Sequence, residues 1–198
     1  MKRPGVLALL IVMVLAVAGC GKAPDTLSKQ ATAALQSAEA AGAPQHAPDS
    51  WDRARKAVDQ MKAAIDAQAK RFSLFRSYAK ASALAADALR LAQQALSDAN
   101  AKKTQLGGEV NATLSELTAL LQSARNQLAR LPRIRGMDAA GLRSELNAAG
   151  SLLDQARAKL GDEAFDSALA TASRAREAIT KVLRAIEKAT GGSKSRKR

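Results

Sequence analysis

Among its 198 residues this chain has one cysteine, one histidine and aromatic side chains at only 3% of positions. Each scarcity removes a class of protein. A single thiol, Cys20, closes no disulfide within the chain, so stability has to come from packing. The single histidine, His46, has no second imidazole or thiol to join it at a metal and no neighbour suited to a switch, so it reads as a solvated loop residue. No segment alternates apolar and polar residues as a half-buried strand would. Acid–base catalysis needs titratable groups that converge, and the carboxylates here fall on polar faces among basic neighbours. An enzyme is therefore the weakest of the functional classes, and no metal or cofactor is expected.

What is plentiful begins at the first residue. Met1-Lys2-Arg3 is basic, and Val6–Ala18 are thirteen consecutive apolar residues, which is a signal-peptide pattern. At 1.5 Å per residue such a helix reaches roughly 20 Å, short of the ~30 Å hydrocarbon core, so a permanent span is the weaker reading. Val17-Ala18-Gly19 then leads into Cys20. This stretch resembles the bacterial lipobox, a branched apolar residue and two small ones ahead of a modified cysteine. The resemblance implies a thioether-linked diacylglycerol on Cys20, cleavage after Gly19 and acylation of the new amino terminus. With Gly21 rather than aspartate in the next position, it also implies sorting to the outer membrane, facing the periplasm. Several acyl chains at about 0.8 kcal/mol per buried methylene exceed what stable anchoring requires. Cys20 is then an anchor, not a nucleophile or ligand, and the covalent lipid is the only added group expected.

Positive charge is in excess, 31 Lys and Arg against 18 Asp and Glu. Loss of residues 1–19 removes Lys2 and Arg3 and leaves a net +11. Such a charge attracts polyanions. For an exported, membrane-anchored chain these are peptidoglycan, lipopolysaccharide phosphates and anionic lipid head groups, and not nucleic acid.

Alanine, the best helix former, dominates the remainder. An all-α fold follows: elongated antiparallel helical hairpins in a coiled-coil-like bundle with one long central helix. Residues 20–48 hold the lipidated start, a short helix over 25–41 and a linker, Gly42 to Pro48. Trp51, Ala54, Val58, Met61, Ile65 and Ala69 mark an apolar stripe on a helix over 49–71, with Asp49 or Ser50 as its cap. From Tyr78 through Ala81, Ala85, Leu89, Ala92 and Leu96 to Leu128 and Leu131 the register is kept, even across Gly107-Gly108, which favours one helix over about 74–130 above two separate ones. The first hairpin is thus 49–131. A second, 132–190, has helices marked by Leu142 to Leu160 and by Phe165 to Ile186, with a turn at Gly161. Phe165, Ala168, Ala172 and Ala175 repeat the spacing of Tyr78, Ala81, Ala85 and Ala88. Gly191-Gly192 should end the last helix and free a basic tail, 191–198.

Ala31–Ala99 resembles an alanine-rich domain of unknown function found in bacterial envelope lipoproteins, on the strength of Gly42-Ala43, Ala47-Pro48, Tyr78 and the alanine ladder after it. That resemblance implies an envelope location and a helical hairpin, and it offers no established activity. The OmpA-type wall-binding domain that sometimes follows in that family has no counterpart here. A narrower resemblance, to the murein lipoprotein and its wall-linked C-terminal lysine, meets Arg198 at that position, with Lys197 only penultimate.

Three surfaces are candidates. Lys70, Arg71, Phe72, Phe75, Arg76, Tyr78 and Lys80 interleave basic and aromatic side chains as a glycan- or lipid-binding patch would, although aromatics three apart more often fill a core beneath a turn. Arg130, Arg133 and Arg135 surround Pro132, where a solvated loop is favoured over an anion site. Lys194, Arg196, Lys197 and Arg198 make the tail either a polyanion contact or a solubilising end. The expected function is a membrane-anchored periplasmic spacer that contacts an anionic envelope partner, with an accessory module for an envelope protein complex as the alternative.

Overall fold

The computed structural model describes residues 23–131 and 138–195. Residues 1–19, Cys20, Arg133, Arg135 and Arg196 to Arg198 lie outside them. Every regular element among the described residues is helical: α1 Asp25–Ala40, α2 Ala43–His46, α3 Pro48–Ala69, a short 3-10 turn Ser73–Phe75, α4 Ala79–Arg130, α5 Ala139–Gly161 and α6 Phe165–Ser195. The chain divides after Lys102 into two compact units. The division falls within α4, whereas the sequence reading gave that helix whole to the first hairpin.

In the first unit α1, α3 and the opening half of α4 pack through small side chains. Ala31, Val58, Met61, Ala85 and Ala88 form one cluster, with Leu27, Ile65 and Leu84 at its margin. Ala38, Ala43, Ala54, Ala92, Ala95 and Ala99 form the next, edged by Trp51. The buried positions of this half of α4, from Ala81 through Ala85, Ala88, Ala92 and Ala95 to Ala99, step alternately by four and three residues. That is a heptad seam. Alanine there lets helix axes approach closely, at the cost of little apolar area per residue.

The expected linker is instead a bridge of defined structure. Gly42 takes a left-handed φ of 79° after α1, a conformation that glycine adopts without a Cβ penalty, and its N–H donates to Glu39 O at 2.9 Å. Ala43 is then buried at the head of α2. His46, expected in a solvated loop, is the last residue of α2 and half-buried. The start of α3 also differs from expectation, for Pro48 occupies the first turn and no side chain caps it. Ser50 Oγ donates instead to Asp98 Oδ2 on α4 at 2.5 Å and accepts from Arg53 Nη2 at 3.1 Å. A nearly buried hydroxyl needs such a partner.

In the second unit the rest of α4 packs with α5 and α6 through larger side chains. Val110, Leu114, Leu117, Leu121, Ala124 and Leu128 meet Leu146, Leu153, Phe165, Ile179 and Val182 in one cluster. The seam again steps by four and three, and an eleven-residue step from Ala99 to Val110 joins it to the alanine seam, equivalent to a four-residue insertion in a heptad pattern. Asp138 Oδ1 caps α5 by accepting from Gly141 N at 2.9 Å. The α5–α6 turn is a Schellman motif, with Glu163 N bonded to Leu160 O at 3.1 Å and Ala164 N to Lys159 O at 2.9 Å. Glu163, with φ 56°, takes the left-handed position, so the chain turns after Gly161 rather than on it. Lys103 and Glu163 form an ion pair. α6 continues through Gly191 and Gly192 to Ser195, so the glycines do not end it as expected. Two glycines cost a helix about 2 kcal/mol against alanine, a penalty that weakens a helix without forbidding it.

α4 is likewise continuous through Gly107 and Gly108. A Cβ at Gly108 would meet nothing within 4 Å, and one at Gly107 would lie 3.7 Å from the Phe165 ring, an ordinary contact. Neither glycine is required by space. Gly108→Ala is therefore expected to stabilise the second unit by about 1 kcal/mol, raising its thermal midpoint by circular dichroism; a lowered midpoint would mean the helix is broken there. Leu153→Ala, at a position 1% exposed, should lower stability by about 2–5 kcal/mol in denaturant titration.

Candidate functional site

A helix ends with carbonyls that no longer have intrahelical partners. At the end of α3 these are met by Lys70 N on Asp66 O and Arg71 N on Gln68 O, at 3.2 and 3.1 Å. The chain then extends at Phe72, makes the single 3-10 turn Ser73–Phe75 closed by Phe75 N on Phe72 O at 2.9 Å, and extends again at Arg76. Arg76 fastens the base of this loop. Its Nη2 donates to Ala69 O at 3.0 Å and its Nε to Arg71 O at 2.9 Å, placing a cation at the negative end of α3. Ser77 N adds a bond to Gln68 Oε1 at 3.1 Å. Tyr78 then turns inward, 6% exposed, and Ser82 N bonds to Tyr78 O at 2.8 Å as α4 begins.

The loop so fastened carries its apolar side chains outward. Phe72, Leu74 and Phe75 are 69%, 82% and 73% exposed, and none belongs to a hydrophobic cluster. This corrects the preference for a core beneath the turn and the start of the long helix at 74. Tyr78 leaves the candidate patch, because it is buried like its counterpart Phe165 at 7% exposure. Lys70, Arg71, Arg76 and Lys80 are exposed around the apolar tip, and residues 67–86 contain these four cations and no acid. The site is therefore a protruding apolar tip within a ring of positive charge. Sequence reasoning missed Leu74. Its only signal was its place between two phenylalanines in a stretch flanked by serines.

The remaining candidates do not assemble. Arg130 is exposed at the last residue of α4, and its expected companions Arg133 and Arg135 lie outside the described residues. Lys194 lies within α6, and Arg196, Lys197 and Arg198 lie outside the described residues. Two shallow grooves score the units. One, about 480 Å³, runs between α1 and α3 past Ser28, Lys29, Met61, Ile65 and Asp66; the other, about 550 Å³, lies beside Leu114, Thr118, Gln122 and Arg157. Arg157 spans the second with bonds to Thr118 Oγ1 and Asp154 Oδ1, both 2.7 Å. Neither gathers the nucleophile, base and oxyanion donors that catalysis would use. Among the described residues no three His, Cys, Asp or Glu side chains could share a metal ion, and no helix is long and apolar enough to cross a membrane.

Comparison of the chain with family models, with curated proteins and with solved structures finds no match.

The loop's conformation depends on Arg76, since no apolar packing holds its tip. Arg76→Ala should release the Ala69 and Arg71 carbonyls and speed hydrogen exchange of the 71–77 amides about tenfold, while the melting of either unit is nearly unchanged. Unaltered exchange would show that the turn is held by its backbone alone.

Proposed function

We propose that this chain is a non-enzymatic envelope lipoprotein, anchored through acyl chains on Cys20 and using its helical units to present a contact surface to an anionic partner. The observation that carries the reading is the exposed Phe72–Leu74–Phe75 tip in its basic ring. A passive spacer gains nothing from keeping three large apolar side chains in water, because each of them could be polar at no cost to a core it does not enter. That argument favours an interaction module over a spacer alone. The location rests on different residues, the basic start, the thirteen-residue apolar run and Val17-Ala18-Gly19-Cys20. The net positive charge that remains after residues 1–19 suits the phosphates and carboxylates an exported chain meets.

Cys20→Ser should abolish metabolic palmitate labelling and release the protein from washed membranes. Persistent labelling in the mutant would sink the lipobox reading.

A further inference from the structure

The partner of the loop can be named from its chemistry and its place in the first unit. α1 runs antiparallel to α3: Leu27 and Ala31 share a cluster with Met61 and Ile65, and Ser28 and Lys29 line a groove with Ile65 and Asp66. The first turn of α1 thus lies beside the last turn of α3, and the loop leaves that same end of the unit. Cys20 precedes Asp25 by five residues, a reach of at most ~17 Å in extended chain. Any bilayer that holds acyl chains on Cys20 is therefore within a short tether of Phe72, Leu74 and Phe75.

From this juxtaposition we infer that the loop is a second membrane contact, inserting its apolar tip at the interface of an anionic bilayer beside the lipid anchor. The inference rests on the proposed acylation of Cys20 for its membrane, and on the loop alone for its chemistry. The tip consists of three exposed apolar side chains, far fewer than the roughly 20–30 residues one partner contributes to a standard protein interface. A bilayer interface accepts so small a wedge, because phenylalanine and leucine settle at the boundary of head groups and acyl chains. The surrounding cations complement it. Lys70, Arg71 and Lys80 meet lipid phosphates while their stems lie along the apolar boundary, and Arg76 stays bonded to the backbone as the fastener of the loop. A glycan wall offers anions to the ring but no apolar phase to the tip. Insertion also accounts for Arg76 as a fastener, since a loop ordered before binding loses less entropy on binding.

The test uses residues 20–198 with Cys20→Ser, which carry neither the apolar run Val6–Ala18 nor an acyl group and leave a single engineered thiol to be placed. Leu74→Cys is labelled with an environment-sensitive nitrobenzoxadiazole dye, and Ala101→Cys, on an exposed position of α4, serves as the control. With phosphatidylglycerol vesicles the dye at 74 should shift to the blue and brighten, with phosphatidylcholine vesicles it should not, and the dye at 101 should stay wet on both. Changing Lys70, Arg71 and Lys80 together to glutamine, with Arg76 kept, should raise the lipid concentration needed roughly a hundredfold, at about fivefold per charge. The inference is overturned by a dye at 74 that stays wet on anionic vesicles, as a protein or wall partner would leave it, or by one that responds equally to both lipids. Because no acyl chain takes part, that result leaves palmitate labelling of Cys20 to be decided separately.

Discussion

The helices of this protein are held by seams, and α4 carries the seam of both units. Its buried positions keep one alternation of four and three residues over alanine up to Ala99 and over valine and leucine from Val110. The same backbone therefore supports two kinds of packing. In the first unit alanine gives close approach and small buried area, so its stability depends on the few larger side chains at its centre, Val58 and Met61. In the second, leucines meet Phe165, Ile179 and Val182, and each such buried side chain contributes on the order of 1.5–3 kcal/mol. The change of side-chain size, the eleven-residue step and the glycine pair fall close together on α4. Eleven residues make about three full turns, so the buried stripe resumes at Val110 without a break in the hydrogen bonds of α4.

The loop between α3 and α4 follows the opposite rule. Where the seams hide alanine, the loop leaves phenylalanine and leucine in water, and it is ordered by polar bonds from Arg76 and Gln68 rather than by apolar contact. The alanine ladder makes the contrast possible. Phe72 and Phe75 lie outside the clusters of that seam, while Tyr78, three residues before Ala81, is buried in register with the α4 ladder.

Much of the helical frame was legible because one signal dominates it. The stripe from Trp51 to Ile65 places α3 within two residues of its observed ends, and the matched spacing after Tyr78 and after Phe165 corresponds to buried residues in both series. Failures occurred where no stripe existed. Gly42 to Pro48 is rich in residues that break helices, so its pattern predicts a linker where a four-residue helix with buried Ala43 forms. Gly107-Gly108 were passed correctly because apolar residues on both sides share a register. Gly191-Gly192 were not, because beyond Ile186 the sequence offers too few apolar residues to carry one. The aromatic tip was misjudged for a related reason: residue type alone places phenylalanine inside, and only the closing of the turn by Arg76 shows that the chain has left the seam.

Charge completes the link from fold to contact. Exposed ion pairs, such as Arg176 with Glu116 at 3.1 Å and Lys181 with Glu145 at 2.7 Å, place cations of α6 against acids of α4 and α5, where each contributes at most about 1 kcal/mol. Cations in such pairs are partly compensated at short range. The four around the loop lie in a stretch, residues 67–86, that holds no acid, and they surround the one stretch of described surface where large apolar side chains are exposed. Either feature alone would be commonplace, since scattered apolar residues and solvated lysines occur on most proteins. Together they impose two demands on whatever covers the tip, a negative surface and an apolar phase within one side chain's length of it, and a bilayer bearing anionic head groups meets both.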